Sequence, residues 1–216
     1  MVGRRHDDGD LADMIAGHER FRQTFAKDRE FLRALTSGEH SPRMLWIGCS
    51  DARVIPNEIV SAEAGELFVI RNVGNVVPPS QSGDASVGAA IEFAVMHLKV
   101  DDIVVCGHTG CGGVAALGEM VNGAVAPHFQ AWVGHARACH DLVRAQGVPE
   151  AERLDAAIRA NVQFQIDHLL TYDCVRKGVE KEKIRLHAWV YDVSHGEILA
   201  YDSDSGAWRH LAEMAS

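Results

Sequence analysis

The chain has 216 residues, of which 47% are hydrophobic and 24% charged, with a formal net charge of −9. That length and apolar content suit one domain, residues 1–216, with a sizeable core. The acidic balance argues against nucleic acid or an anionic membrane as the main partner.

Residues 1–9 are polar and are expected to be mobile. From 10 to 36 apolar residues recur at three- and four-residue steps, Leu11, Met14, Ile15, Phe21, Phe25, Leu32 and Leu35 among them. This predicts an N-terminal helical arm that packs across a neighbouring subunit. "HSPR" breaks the pattern, and "MLWIGC" (44–49) reads as a short buried strand. Leu67 to Ile70 form a second strand, and the Gly-, Pro- and Ser-rich 73–84 a loop. Val87, Ala90, Ile91, Ala94, Val95 and Leu98 then lie on one helical stripe. "DDIVVCGH" (101–108) is a third buried strand, and "TGCGGVAALGEMV" opens a helix. Helical stretches follow at 128–145 and 151–171, and "IRLHAWVYDV" and "EILAYD" predict a late hairpin around "SHG".

Strands alternating with helices predict an α/β fold with a central, mostly parallel β-sheet flanked by helices. The N-terminus, "MVGRRHDDGDLADM", lacks the apolar core of a signal peptide, and no segment has the apolar length of a membrane span. The five cysteines, at 49, 106, 111, 139 and 174, form no disulfide framework. A reducing, cytoplasmic setting is expected.

In a parallel sheet, ligands sit beyond the carboxyl ends of the strands. Two unusual motifs occupy such positions: "CSDAR" after the first strand and "GHTGCGG" after the third. Cys49, His108 and Cys111 together make a Cys₂His set that suits one Zn²⁺ per chain. Three protein ligands leave a fourth position free, as catalytic sites do. Asp51 either closes that set as a fourth ligand or pairs with Arg53 and faces the open position; a plain loop salt bridge is the bland alternative. An arginine-held carboxylate stays ionised and only accepts hydrogen bonds. The Gly112 N–H is placed to donate to a substrate oxygen. "GHTGCGG" lacks the ending of a P-loop and the spacing of a dinucleotide fingerprint. Cys106 reads as core, and Cys139 and Cys174 as packing or surface residues.

These residues resemble the β-class carbonic anhydrases. "CSDAR" is similar to that family's C-x-D-x-R and "HTGCGG" to its H-x-x-C-G-G, and flanking segments extend the likeness over most of residues 40–202. The resemblance implies Cys49, His108 and Cys111 as zinc ligands and an Asp51–Arg53 catalytic dyad. It implies reversible hydration of CO2 to bicarbonate and a proton by zinc-bound hydroxide. Phe68, Val73 and Phe93 are expected as an apolar substrate lining, with His40 where the family often has a Gln.

The family has an open type, with the dyad formed, and a closed type in which Asp ligates zinc and a Trp, an Arg and a Tyr hold a bicarbonate. Trp46 and Arg71 match the first two, and Phe93 is read at the third position. That reading predicts the open type, like the plant and cyanate-operon members. The resemblance also implies a homodimer, or that dimer doubled. Two alternatives remain at this stage: a carbonyl sulfide or carbon disulfide hydrolase on the same fold, and a non-catalytic zinc-binding assembly protein.

Overall fold

The computed structural model describes residues 10–25, 36–38, 40–119 and 126–215. The chain divides into two units, residues 1–40 and 41–216. In the first, α1 (Asp10–Phe25) carries the predicted period, and its Leu11, Met14, Ile15 and Phe21 are exposed. Residues 1–9, and residues 26–35 of the predicted helical arm, lie outside the described residues.

The second unit is built on a six-stranded sheet of β1 (Met44–Cys49), β2 (Leu67–Asn72), β3 (Asp102–His108), β4 (Arg185–Asp192), β5 (Glu197–Asp202) and β6 (Ala207–His210). Its spatial order is β2-β1-β3-β4-β5-β6. The first four strands run parallel, and β5 and β6 return antiparallel. The parallel strands are near-continuous apolar runs because both of their faces are covered. Strand alternation divides them between two cores. Leu45, Ile47, Cys49, Ile103 and Val105 join the larger one. Trp46, Val104 and Cys106 join Trp189 and Ala200 on the other face.

Helices α2 (Pro56–Ile59), α3 (Ala85–Glu92), α4 (Gly112–Glu119), α5 (Pro127–Gly134), α6 (Arg137–Ala145), α7 (Arg153–Leu169) and α8 (Asp173–Glu180) complete the unit. The α7 stripe Ala157, Ile158, Val162 and Leu169 is buried in the larger core. Each of its large aliphatic side chains contributes about 1.5–3 kcal/mol by leaving water. Close approach to β3 depends on Gly107, where a Cβ would stand 2.8 Å from Val162 Cγ2 and 3.3 Å from Ile158 Cγ2.

The predicted fold class is observed, with several local differences. The 128–145 stretch is two helices, because the His135 and Ala136 N–H groups turn back to the Trp132 and Val133 carbonyls. The 85–98 helix is capped by Asp84, whose carboxylate accepts from Val87 N, and widens into a π turn at Phe93–Leu98 that ends at left-handed Lys99. The loop after β2 holds two 3₁₀ turns, Val73–Asn75 and Ser80–Ser82. Strand β6 was not anticipated; Asp202 forms its turn by accepting from the N–H groups of Asp204 and Ser205.

The order 2-1-3-4 places a topological switch point at β1 and β3, since the chain leaves β1 to one side for β2 and to the other for β3. The crevice beyond the carboxyl ends of those two strands is the expected ligand position.

Candidate metal centre

Cys49 ends β1, His108 ends β3, and Cys111 stands just before α4. Their ligand atoms all lie within 4.8 Å of one another, and the two sulfurs are 3.8 Å apart. The three residues are 5%, 0% and 0% exposed. His108 Nδ1 donates to the Thr109 carbonyl at 3.1 Å, which leaves the Nε2 lone pair free to ligate. That Nε2 is buried and has no hydrogen-bond partner among the described residues. An orphaned imidazole nitrogen is costly in an apolar protein interior, and a cation between it and two sulfurs resolves the cost.

The two thiols shift in opposite directions. Cys49 is pushed down to about 4, first by the hydrogen bond from Cys111 and further by His108 and the Gly74 N–H. Cys111 is pushed up, first by its hydrogen bond to Cys49, then by burial and by the charge on Cys49. A borderline-soft dication stabilises both thiolates, so zinc fits this donor set. Cys106 and Cys139 are thiols at neutral pH, since burial raises both, Cys139 to about 12.

Asp51 and Arg53 form the predicted pair. Arg53 Nη2 donates to Asp51 Oδ2 at 2.7 Å, and Arg53 Nε and backbone N donate to Oδ1 at 2.9 and 3.0 Å. This holds the Asp51 carboxyl well below the usual carboxylate range. Its Oδ2 lies 3.7 Å from His108 Nε2. Arg53 Nη2 also reaches the Gly110 carbonyl at 3.4 Å, tying the two motifs together. Gly110 has φ +65°, a left-handed turn that glycine adopts without strain.

Several residues shape the site in ways the sequence alone did not show. Arg71 donates to the Cys49 carbonyl at 3.0 Å and the Asp51 carbonyl at 2.6 Å, fixing the chain as it leaves β1. Asn72 closes the next loop by bonding both the N–H and the carbonyl of Val76. Gly113 lets that loop approach, since a Cβ there would stand 3.0 Å from Gly74 N.

The substrate-lining candidates fall in three places. Phe68 and Phe93 meet at a centroid distance of 5.9 Å. Phe68 is in register with Leu45, four residues before Cys49, so about 13 Å of strand separates it from the ligand row. Val73, 40% exposed, adjoins Gly74, whose N–H reaches Cys49 Sγ. Gly112 is exposed beside Cys111. His40 is exposed and belongs to the N-terminal unit.

The placing of Phe93 with Trp46 and Arg71 in one bicarbonate site fails on geometry. Phe93 meets Phe68 at a tilt of 40°, and Phe68 packs against the larger core, whereas Trp46 belongs to the cluster on the opposite face of the sheet. The tyrosine that packs against the cluster holding Trp46 is Tyr191, from β4. Phe93 therefore gives the expected open arrangement no support, and the Asp51–Arg53 pair is the remaining observation that bears on it.

Residues 44–198 match the carbonic anhydrase family model. A carbonic anhydrase of Pseudomonas aeruginosa is 40% identical over 204 residues, 94% of this chain and 93% of that protein. One from a Synechocystis species is 36% identical over 193 residues, 88% of this chain and 70% of that protein. Among solved structures, the β-carbonic anhydrase CcaA superposes with a TM-score of 0.86 at 33% identity, covering 93% of this chain and 99% of that one. A β-carbonic anhydrase of Sordaria macrospora, described as tetrameric, gives 0.80 at 27% identity, covering 94% and 100%. The buried Cys-His-Cys cluster, the sheet that presents it and these likenesses lead to one assignment: the chain belongs to the β-class carbonic anhydrases.

Proposed function

We propose that this zinc-dependent carbonic anhydrase works in the open arrangement, with Asp51 and Arg53 as its catalytic dyad. Cys49, His108 and Cys111 hold the zinc. The metal, when bound, acts as a Lewis acid that makes a water nucleophilic near neutral pH. The observation that carries the dyad is the full engagement of the Asp51 carboxylate by Arg53.

Held this way, Asp51 cannot donate a proton and can only accept one in a hydrogen bond. Its position 3.7 Å from His108 Nε2 sets that acceptor beside the ligand atoms. It therefore orients a reactant that has an O–H and disfavours one that has none. Arg53 supplies the geometry, since a bidentate guanidinium fixes both carboxylate oxygens. The Gly112 N–H, at the start of α4, is assigned to a substrate oxygen, and Val73 to the apolar wall.

Phe68, Phe93 and His40 are assigned to the substrate lining in an oligomer, where a second copy can bring them to the metal. The exposed apolar stripe of α1 supports a homodimer, or that dimer doubled. A cytoplasmic setting is proposed from the free thiols and the composition; among the described residues no helix is long and apolar enough to cross a membrane. Residues 41–216 carry the catalytic apparatus of what we read as one domain.

The experiment is a side-by-side assay of CO2 hydration and of sulfide release from carbonyl sulfide. Hydration dominant over sulfide release supports the assignment. Sulfide release without hydration overturns it.

A further inference from the structure

The apolar stripe of α7 is interrupted by two polar residues, Asn161 and Gln165, both 0% exposed. Packing alone would be served by Leu or Ile, and a buried amide costs stability unless its hydrogen bonds are met. Here they are met by the loop that adjoins the metal centre. Asn161 Nδ2 donates to the Gly74 carbonyl at 3.0 Å. Gln165 Nε2 donates to Asn161 Oδ1 at 2.9 Å, and Gln165 Oε1 accepts from Val77 N at 2.8 Å. From α5, Trp132 Nε1 donates to the Val73 carbonyl at 2.8 Å.

These bonds grip a left-handed turn. Gly74 and Asn75 are successive left-handed residues, with φ +77° and +48°. Glycine adopts that conformation without strain, and asparagine tolerates it better than other residues with a side chain. The Val73 carbonyl and the Gly74 N–H are the two ends of one peptide group. Its oxygen accepts from Trp132 and its N–H points at Cys49 Sγ, 3.5 Å away. Polarising one end of a peptide strengthens the bond made by the other.

We propose that Asn161, Gln165 and Trp132 form a positioning clamp that fixes the Val73–Gly74 peptide and with it the hydrogen bond on the Cys49 sulfur. That bond draws charge from the thiolate and so sets how strongly Cys49 donates to the metal. None of the three side chains is a metal ligand. The proposal rests on Cys49 being a ligand.

The test uses the full chain loaded with Co²⁺, whose thiolate-to-metal charge-transfer absorption reads the donor strength of the sulfurs. In Asn161→Ala the band is expected to move to lower energy, because the sulfur loses a hydrogen bond. Metal affinity, measured by chelator competition, is expected to change by about tenfold. Trp132→Phe, which leaves the α7 amides in place, is expected to move the band in the same direction by less. It decides the matter if Asn161→Ala does not fold. A folded variant with the wild-type band and an affinity within about twofold overturns the clamp, since loss of packing alone lowers melting temperature without moving the band. A wild-type Co²⁺ protein with no thiolate band would refute the ligand assignment itself, and the clamp with it.

Discussion

Asp51 Oδ2 stands 3.7 Å from the buried Nε2 of His108, close enough to face the ligand set, while Arg53 Nη2 holds the same oxygen at 2.7 Å. The carboxylate is thus next to the metal position but committed elsewhere. Replacing Asp51 by Asn keeps its size and turns one acceptor into a donor. Zinc content of Asp51→Asn is expected to stay at the wild-type level, with kcat/KM lower by roughly 10²-fold. Metal analysis with stopped-flow hydration checks this, and a variant with wild-type kcat/KM would remove Asp51 from the mechanism.

The ion pair also fixes a pH window. The Arg53 hydrogen bonds depress the Asp51 pKa below its ordinary value of 3.8. Between the two values the unfolded chain binds the proton and the folded chain does not. The stabilisation is therefore complete above the ordinary value and lost as pH falls through the depressed one. A ¹³C NMR titration of Asp51 should show no protonation from about pH 8 to pH 4. In Arg53→Ala the midpoint should rise towards the ordinary carboxylate range. A wild-type midpoint above that range contradicts the pair.

Metal removal should act on stability as well as activity, because folding brings Cys49, His108 and Cys111 together from separate segments. Chelator-stripped protein is expected to lose hydration and to melt several degrees lower, on the order of 2–8 °C for 1–2 kcal/mol of lost linkage in a domain of this size. One equivalent of Zn²⁺ per chain should restore both. Calorimetry with and without metal checks the shift, and stripped protein with full hydration contradicts the site.

Gly107 tests the packing that carries His108. A methyl group there would meet Val162 Cγ2 at 2.8 Å, in a core with no room beside β3. Gly107→Ala is expected to destabilise by about 1–3 kcal/mol. Denaturant unfolding checks it, and an unchanged midpoint would show that α7 moves freely against the sheet.

The metal centre was legible in the sequence because Cys49 and His108 end apolar strands, Cys111 follows three residues on, and strand ends in a parallel sheet converge. The Asp51–Arg53 pair was legible as one of two arrangements, and its hydrogen bonds are present in the structure. What escaped was whatever depends on which face of the sheet a residue meets. Phe93 stands 44 positions after Cys49, and nothing in the linear order shows that it lies across the sheet from Trp46. Strand β6 escaped for another reason: "AWRH" is short and half polar, and its pairing with β5 rests on the Asp202 turn. Asn161 and Gln165 are not legible in the sequence, because an apolar helical period marks only the residues that fit it.

The most direct test of zinc-dependent hydration at this site is metal content and CO2 hydration measured on the same sample, for the wild-type chain and for Cys49→Ser. The account predicts about one zinc per chain with rapid hydration near pH 8 in the wild type, and loss of both together in the variant. Fully zinc-loaded wild-type protein without hydration, or a Cys49→Ser variant that keeps metal and activity, would contradict it.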